Sequence, residues 1–475
     1  MLVDQHSYTE LRKLLQFGET TCVHLVNEYL QNIHAKNPKL NALLSVYEQG
    51  ALDQAAEVDQ KIKQGNAGKL AGMVVSIKDV LCYKDHPLQC GSEILDNFHS
   101  QFTATAVQRL LDEDAIIIGR NNCDEFAMGS SNENSAFGAV VNEDGENRVP
   151  GGSSGGSAVA VQANMCAVSL GTDTGGSVRQ PASFTGIVGL KPTYSRISRH
   201  GLAAYASTFD CVGVLAKNVE DVALVMEVIA GADEYDSTVS QQPVPTYSQQ
   251  LNAEPKSSLV YFKEVLEGEG LQPEVKEAFV SKLEELKKAG HQVTEMSFPL
   301  LDYALSTYYI LTMAEASSNL SRYDGVRYGY RSENANNLES MYKKSRAEGF
   351  GEEVKKRILV GTAVLSASYH DAYYLKAQKA RRLIQDGLNE ILNDHDFILM
   401  PTAPTTAFEI GSKTDNQMEM YLADLFTVPA SVAGVPAISV PMGRDQEGMS
   451  IGLQILSKPF SEDKLLSFSH SLLDQ

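Results

Sequence analysis

The sequence lacks the features of several protein classes. No stretch has the roughly 18 consecutive apolar residues that a membrane-spanning helix needs, and the start, MLVDQHSYTELRKLL, lacks the basic residues and apolar run of a signal peptide. The six cysteines form no CxxC pair and have no histidine at zinc-ligand spacing. We therefore expect a soluble cytoplasmic protein with reduced, buried thiols and no metal site.

Positive charge is also scarce. Lysine and arginine number 40 against 60 aspartates and glutamates, so the formal net charge is −20. Such a surface repels nucleic acid as a whole, and we expect any RNA partner to be held by another subunit. The hydrophobic share of 43% and the charged share of 21% are those of a globular protein with a core.

The order of elements predicts an α/β fold with a large sheet covered by helices. Residues 8–64 have the three- and four-residue apolar spacing of helices, which predicts a helical N-terminal layer over 1–66. The core over 67–475 alternates helical segments with short apolar runs typical of buried strands, at 73–77, 115–119, 166–171, 258–262, 396–400, 436–442 and 450–456. A polar helical excursion is expected around 321–356. No repeat or linker divides the chain, so we predict one domain over 1–475.

Glycine and serine cluster twice, at 151–157 and at 171–177. A flexible linker is excluded because the intervening SAVAVQANMCAVSL has the composition of a buried helix that runs into a strand. A phosphate-binding loop is excluded because no lysine follows either cluster at the required spacing. The remaining interpretation is that serines of these clusters take part in catalysis.

That chemistry takes two forms. In the first, GGSSG and GSSGG place Ser153 or Ser154 on the nucleophile turn of an α/β-hydrolase, although the preceding GENRVP is polar rather than a buried strand. The first form also needs a downstream histidine, of which the chain has five, at positions 200, 291, 370, 395 and 470. In the second, Lys78 closes the apolar strand MVVSIKDVL, where a buried lysine tends to lose its proton and can act as a base. Pairing of Lys78 with the neighbouring Asp79 is an alternative that this segment leaves open.

A serine hydroxyl becomes a nucleophile when a base removes its proton. A neutral Lys78 can take that proton directly or through a second serine, which accounts for serines in two glycine settings. The oxyanion formed in acyl transfer needs amide donors, and TDTGGS offers four in succession, at Thr174, Gly175, Gly176 and Ser177.

At these residues the chain resembles the amidase signature family, whose mark is a glycine- and serine-rich block before GTDTGGS and a lysine-bearing strand upstream. The matching stretch begins PGGSSGGSAVAVQANMCAVSLGTDTGGSVRQPAS. The resemblance implies that Ser177 is the nucleophile, that Ser153 is a bridging serine in a cis-peptide setting and that Lys78 is the base.

Further segments are similar to the A subunits of the tRNA-dependent amidotransferases, over about 8–458. These segments are GRNNCDEFAMGSSNENSAFGAVVN, GLKPTYSRISRHGLAAYASTFDCVG, LVGTAVLSASYHDAYYLKAQKARRLI and YLADLFTVPASVAGVPAISVPMG. This resemblance implies a protein that hydrolyses glutamine and passes ammonia to a B subunit, which binds the tRNA and activates the misacylated Glu-tRNA(Gln), or Asp-tRNA(Asn), with ATP and Mg²⁺. A small C subunit clasps the pair, and this chain itself needs no cofactor.

Glutamine is a zwitterion, so its pocket needs a cation for the carboxylate and an anion for the amine. By the resemblance these are Arg357 and Asp424, although a solvated helix face and a local ion pair are the alternatives that the residues themselves favour. The resemblance adds three more pocket residues, which are Met128, Gly129 and Tyr308, with Tyr309 as the alternative to Tyr308.

Two residues of the serine loop are expected to support it. Arg179 follows the nucleophile and is expected to hold the loop, and Asp173 to accept backbone hydrogen bonds there. The chain departs from the family at Ser195 and Ser130, where glycine is common, and we expect these changes to affect only local loop conformation.

Two other functions fit the sequence less well. A stand-alone amidase that acts on small or acyl amides shares the two serines and the lysine but needs no zwitterion pocket. A non-catalytic scaffold would not need Lys78, Ser153 and Ser177, all of which are present.

Overall fold

The computed structural model describes residues 1–252, 256–268, 270–413 and 417–473. Within these residues eleven strands form one mixed sheet in the order β1-β3-β2-β4-β6-β5-β10-β11-β9-β7-β8. The strands are β1 (Leu43–Val46), β2 (Val74–Lys78), β3 (Ile116–Asn121), β4 (Val168–Asp173), β5 (Val188–Lys191), β6 (Cys211–Ala216), β7 (Ser258–Phe262), β8 (Gln292–Met296), β9 (Phe397–Pro401), β10 (Ala437–Arg444) and β11 (Ser450–Ser457).

Helices cover both faces of this sheet, as the sequence predicts for an α/β protein. They are α1 (Leu2–Gln5), α2 (Tyr8–Phe17), α3 (Cys22–Leu40), α4 (Glu48–Gln64), α5 (Thr105–Asp112), α6 (Gly155–Gln162), α7 (Arg179–Thr185), α8 (Val219–Ile229), α9 (Lys263–Glu267), α10 (Pro273–Lys288), α11 (Leu301–Asn319), α12 (Leu338–Gly349), α13 (Glu352–Leu365), α14 (Leu375–Asp394), α15 (Gln417–Leu422), α16 (Val428–Ala433) and α17 (Glu462–Leu473).

The direction of the strands creates a common edge for the site. Strand β2 runs parallel to both β3 and β4, so the carboxyl ends of these strands lie side by side. Every residue of β2 and β4 is buried, because apolar side chains pack against helices on both faces. Lys78 ends β2 and Asp173 ends β4, which brings the lysine strand beside the second glycine cluster.

The N-terminal layer is helical with one exception. Helix α2 begins at a capping box in which Ser7 and Glu10 satisfy each other's backbone amides. The prediction of helix throughout 8–64 is wrong at β1, which adds an antiparallel edge strand to β3. Asn41 in the left-handed conformation ends α3, and the apolar run that follows is long enough for an edge strand.

The seven apolar runs predicted as strands are confirmed as β2, β3, β4, β7, β9, β10 and β11. Strands β5 and β6 contain glycine, which weakens strand propensity, and the half-exposed β8 is rich in polar residues. Hydrogen bonding to neighbouring strands stabilises all three strands, and such pairing between distant segments cannot be predicted from the periodicity of the sequence.

The polar excursion predicted at 321–356 is helical only in part. Residues 323–337 form no regular element, and helix resumes at α12 behind the capping residue Asn337. Gly325 and Gly329 both have positive φ, at 70° and 75°, and a Cβ on Gly329 would lie 2.1 Å from the Ile94 carbonyl oxygen. The segment therefore turns against the core, which a helix would not permit.

The six cysteines are free thiols and all are buried. In the part of the chain that the structure describes, no helix is long and apolar enough to span a membrane.

Candidate active site

Lys78 is fully buried among hydroxyl groups. Its Nζ lies 2.7 Å from Ser153 Oγ, 2.9 Å from Ser154 Oγ and 3.0 Å from Thr172 Oγ1. Burial lowers the pKa of this lysine from 10.5 to about 8, against the smaller opposing effect of nearby acidic groups. Both protonation states are therefore accessible near neutral pH, as a general base requires.

The pairing of Lys78 with Asp79 is not formed. The Asp79 carboxylate accepts hydrogen bonds from the backbone amides of Gln89 at 3.1 Å and Gly91 at 3.0 Å, and it lies 3.5 Å from Arg120. Asp79 therefore has its own partners on the far side of the strand end. The hydrogen-bond partners of Lys78 are therefore all neutral hydroxyl groups.

Proton counting separates the two neighbouring serines. A neutral amine has two hydrogens and one lone pair, so one of the three surrounding hydroxyls must donate to Lys78 when it is deprotonated. Ser154 Oγ already donates its single proton to the Thr172 carbonyl at 3.1 Å. Ser153 or Thr172 must therefore be the donor, and of the two adjacent serines only Ser153 can exchange a proton with the base.

The loop that carries Ser153 is not the nucleophile turn of an α/β-hydrolase. It leads from an irregular segment into α6 rather than following a buried strand. The Gly152–Ser153 peptide bond is cis, and the Gly152 amide donates to Gln180 Oε1 at 2.8 Å. A Cβ on Gly152 would lie 2.1 Å from Asp124 Oδ2, so glycine is required at this close approach.

Ser177 lies in the loop between β4 and α7, and it is joined to the first serine cluster. The Ser154 amide donates to the Ser177 carbonyl at 3.1 Å. Ser177 is 8% exposed, whereas Lys78 and Ser153 are fully buried. Of these three residues, Ser177 is thus the only one with any solvent exposure.

Asp173 and Arg179 fix the backbone of the Ser177 loop, as the sequence predicts. The Arg179 guanidinium contacts both carboxylate oxygens of Asp173, at 2.9 and 2.8 Å, and its Nη1 donates to the Thr427 carbonyl at 2.7 Å. Asp173 also accepts from the backbone amides of Gly176, Val178 and Arg179. Coulombic attraction and hydrogen bonds from Arg179 hold the pKa of Asp173 below its usual value in spite of burial.

The four amides predicted as oxyanion donors are not equivalent. The Gly176 amide donates a hydrogen bond to Asp173 Oδ1 at 2.9 Å and so stabilises the loop rather than a ligand. The candidate oxyanion donors are therefore the amides of Thr174, Gly175 and Ser177. Gly176 has φ of 140°, and a Cβ there would lie 2.2 Å from Thr427 Oγ1. Neither this conformation nor this contact admits another residue.

Arg357 is buried on the inner side of α13 rather than solvated. Its Nε donates to Glu353 at 2.8 Å and its Nη1 to the hydroxyl of Tyr205 at 2.8 Å. The rings of Tyr205, Tyr309 and Tyr421 lie 5.6, 5.5 and 5.7 Å from the guanidinium carbon. An aromatic wall of this kind accommodates a planar cation and orients it for a carboxylate.

Asp424 is buried and contacts Tyr309, one of the three tyrosines around Arg357. One of its oxygens accepts from Ser130 Oγ at 2.9 Å and from the Tyr309 hydroxyl at 2.8 Å. Burial raises the pKa of Asp424 to about 6, although both hydrogen bonds oppose the rise. Thr427 Oγ1 donates to the Gly175 carbonyl at 2.6 Å and lies 3.1 Å from the backbone carbonyl of Asp424, so Thr427 links the backbone at Asp424 to the Ser177 loop.

The remaining predicted pocket residues divide into two groups. Gly129 lines a cleft of about 170 Å³ together with Arg357 and Tyr421, whereas Met128 is fully buried and does not line it. Tyr309 contacts Asp424, and Tyr308 packs over the Ser177 loop, where a Cβ on Gly175 would lie 2.4 Å from Tyr308 Cζ. Both tyrosines thus belong to the site, but Tyr309 faces the charged groups.

The two departures from the family have separate structural effects. Ser195 has φ of 74°, a left-handed conformation that favours glycine. Ser130 does more than change a loop, because its hydroxyl donates to Asp424. The expectation of a purely local effect is wrong at this position.

Sequence reasoning missed one supporting residue, Asp210. Asp210 accepts from Thr174 Oγ1 at 2.6 Å and from the amides of Tyr205 and Ala206 at 3.0 Å each, so it links the Ser177 loop to the tyrosine that binds Arg357. Burial raises the pKa of Asp210 to about 7. A single aspartate in a turn carries no sequence signal for such a role.

Among the described residues, no group of three or more histidine, cysteine, aspartate or glutamate side chains has an arrangement that could hold a metal ion.

Comparison with known proteins is consistent with this geometry. The family model for amidases matches residues 24–466. The chain is 51% identical over 465 residues to the A subunit of glutamyl-tRNA(Gln) amidotransferase from Chlorobium phaeobacteroides, covering 98% of each chain. It is similar in structure to the A subunit of glutamyl-tRNA(Gln) amidotransferase from Thermotoga maritima, with a TM-score of 0.81, 37% identity and coverage of 99% and 94%. It is also similar to the peptide amidase of Stenotrophomonas maltophilia, with a TM-score of 0.82, 27% identity and coverage of 99% and 96%.

Proposed function

Because this chain belongs to the amidase family and is related over nearly its full length to amidotransferase A subunits, we propose that it is the glutamine-hydrolysing subunit of a tRNA-dependent amidotransferase. It supplies ammonia for the conversion of Glu-tRNA(Gln) to Gln-tRNA(Gln), or of Asp-tRNA(Asn) to Asn-tRNA(Asn). The observation that carries this proposal is the buried pair of opposite charges, Arg357 and Asp424, beside the Ser177 loop.

The pair matches free glutamine in charge. Arg357 binds the α-carboxylate, and Asp424, ionised above its pKa of about 6, binds the α-ammonium. Tyr309 orients the carboxylate of Asp424 through its hydroxyl. With both ends of the amino acid held, the side-chain amide extends towards Ser177.

Acylation begins when Ser177 Oγ attacks the amide carbon of glutamine. The proton of Ser177 passes to Ser153 Oγ while the proton of Ser153 passes to the neutral Lys78, so Lys78 gains one proton, Ser153 stays neutral and the Ser177 oxygen forms the bond to carbon. The carbonyl oxygen becomes an oxyanion, and the amides of Thr174, Gly175 and Ser177 stabilise it. The carbon–nitrogen bond then breaks, the relay returns the proton to the leaving nitrogen, and ammonia departs from the acyl-enzyme.

Deacylation repeats the same proton path with water. Water loses a proton through the relay to Lys78 as its oxygen attacks the acyl carbon, and Ser177 recovers its proton when the ester bond breaks. The products are glutamate and one ammonia. No metal or cofactor takes part in these steps, and we propose that ATP and Mg²⁺ are used by the partner B subunit.

The partners follow from the same proposal. A chain with net charge −20 leaves tRNA binding to the B subunit, and a small C subunit completes a heterotrimer. The substrates of the complex, aminoacyl-tRNA and ATP, are those of the protein-synthesis compartment, so we propose the cytoplasm as its location.

The experiment that tests this function compares two nitrogen sources in the assembled complex. Ser177→Ala should abolish formation of Gln-tRNA(Gln) from glutamine and leave its formation from ammonium chloride at the wild-type rate. Loss of both activities from an intact complex would argue against a role limited to glutamine hydrolysis.

A further inference from the structure

Glu125 is a buried carboxylate that the proposed reaction does not use. It is 3% exposed and lies at the start of a short turn over Glu125–Ala127. Burial raises the pKa of Glu125 to about 7, and the neighbouring Glu93 adds to the rise, although hydrogen bonds from Ser92 and Gly351 oppose it. An acidic group is rarely kept in such surroundings unless its contacts have a role.

The Glu125 carboxylate caps a helix that is distant from it in the chain. The Gly351 amide donates to both carboxylate oxygens, at 2.9 and 3.1 Å, and the Ser92 hydroxyl donates to one of them. Gly351 is the N-cap residue of α13, and as a glycine it has no side chain with which to cap the helix. Glu125 therefore supplies the acceptor for the N-cap amide and the negative charge that a helix N-terminus favours.

The contact between Glu125 and Gly351 leaves no room for a larger residue. A Cβ on Gly351 would lie 2.5 Å from Glu125 Oε2, although φ of −70° at Gly351 suits any residue. Aromatic packing holds the same junction, because the rings of Phe126 and Phe350 meet edge to face with their centroids 5.7 Å apart. The start of α13 is thus fixed by Glu125 and by the residue next to it.

Glu125 lies between the two charged groups of the proposed glutamine pocket. On one side of it, α13 carries Arg357 in its second turn. On the other side, the chain that leaves Glu125 reaches Gly129, which lines the cleft, and Ser130, whose hydroxyl donates to Asp424. A shift at Glu125 therefore changes the position of the cation relative to the anion.

We propose that Glu125 is a positioning residue for glutamine binding, which holds the start of α13 so that Arg357 and Asp424 lie at the separation that the two charged ends of glutamine require. This inference rests on the function proposed above, and Glu125 acts through Arg357 rather than on the substrate. Loss of a negative charge would not by itself weaken the binding of a carboxylate. Weaker binding without Glu125 therefore reports a displaced Arg357.

The test measures the dissociation constant of glutamine by isothermal titration calorimetry, in the complex with the B and C subunits and in a Ser177→Ala background that prevents turnover. Glu125→Ala should weaken binding by about 10-fold or more, because a hydrogen-bonded carboxylate is lost. Glu125→Gln keeps the shape and one acceptor oxygen and should recover part of the affinity. Asp221→Asn is the matched control and should stay within twofold, because Asp221 is also buried in the first turn of a helix but contacts Tyr8 in the N-terminal layer.

Two combinations of variants show whether Glu125 acts through these contacts. Gly351→Ala, whose Cβ would displace the carboxylate, should weaken binding by a similar factor and add little to Glu125→Ala. With Ser177 intact, Glu125→Ala should lower kcat/KM for glutamine by about 10-fold or more in the wild type, but by less than twofold in an Arg357→Ala background, since the group that it positions is already absent. Gly351→Ala decides the question should Glu125→Ala fail to fold.

Three results would overturn the proposal. Wild-type affinity in a folded Glu125→Ala or Gly351→Ala variant would show that α13 is held in place without this carboxylate. An equal loss of kcat/KM with and without Arg357 would assign Glu125 to general stability. Glutamine binding that is absent even with Glu125 intact would contradict the proposed function itself, an outcome distinct from binding that survives in the Glu125 variants.

Discussion

Deprotonation of Lys78 should control the rate of glutamine hydrolysis below pH 8. Only the neutral amine can accept the serine proton, and burial lowers the pKa of Lys78 from 10.5 to about 8. At pH 7 a pKa of about 8 leaves roughly 9% of the lysine neutral, against roughly 0.03% for a solvated lysine, a gain of about 300-fold in active base. Activity should therefore increase with pH, by about tenfold per pH unit while the pH is well below 8, and level off above pH 8.

The assay is kcat/KM for glutamine between pH 6.5 and 10 at constant ionic strength. We expect a rise that breaks near pH 8 in the wild type, followed at higher pH by a fall where the α-ammonium of free glutamine loses the proton that Asp424 recognises. Lys78→Arg keeps the charge but cannot supply a base, and it should lose at least about 10³-fold at every pH. Lys191→Met is the matched control, because Lys191 is also fully buried but donates to the Pro192 carbonyl, and this variant should keep the break at pH 8.

Either of two outcomes would refute this reasoning. A profile that is flat from pH 6.5 to 10 would mean that no group with the pKa of Lys78 limits the reaction. More than a few per cent of wild-type activity in Lys78→Arg would mean that another group takes the proton.

The other predictions concern the glutamine pocket and the serine loop. Arg357→Ala should lower kcat/KM for glutamine by about 10²-fold or more, since it leaves a buried carboxylate unpaired, and change hydrolysis of an uncharged amide little; equal losses on both substrates would favour a stand-alone amidase. Burial raises the pKa of Asp424 to about 6, so the free energy of unfolding that this group contributes below pH 4 is lost as the pH rises through 6. At pH 7.5 Asp424→Asn should therefore increase the free energy of unfolding by up to about 3 kcal/mol, and with it the melting temperature, while glutamine binding is lost. A lower melting temperature of this variant would contradict the burial cost. Gly176→Ala should lose about 10²-fold or more in kcat because its Cβ would meet Thr427 Oγ1 at 2.2 Å, and near-normal kcat would exclude a rigid loop.

The sequence predicts those parts of the fold that depend on local pattern. Strands such as β3 and β9 are buried on both faces, so each begins with a continuous apolar run that stands out from its flanks. The polar edge strand β8 and the short β1 have no such signature, because pairing with distant neighbours stabilises them.

The site divides in the same way. Lys78, Ser153 and Ser177 lie within motifs, and the contact of Lys78 with Ser153 is as the relay requires. The burial of Arg357 was not predictable, because the rings that enclose it come from three separate elements far apart in the chain. Its neighbours Lys355 and Lys356 made a solvated face the simpler interpretation of the sequence alone.

The sequence also does not predict which of two neighbouring serines can exchange a proton with Lys78. GGSSG presents Ser153 and Ser154 as equivalent candidates, and the distinction comes from the hydrogen bond of Ser154 to the Thr172 carbonyl. That bond depends on the position of β4 relative to the loop. A linear pattern of residues does not contain it.

The most direct test of the central claim is glutamate release from glutamine by the wild type and by Ser177→Ala, each alone and with the B and C subunits and charged tRNA. We expect release that depends on Ser177 and increases when the partners and the tRNA are added. Hydrolysis of simple amides by the isolated wild type, with glutamine left untouched under all conditions, would contradict the account and remove the assigned roles of Arg357 and Asp424.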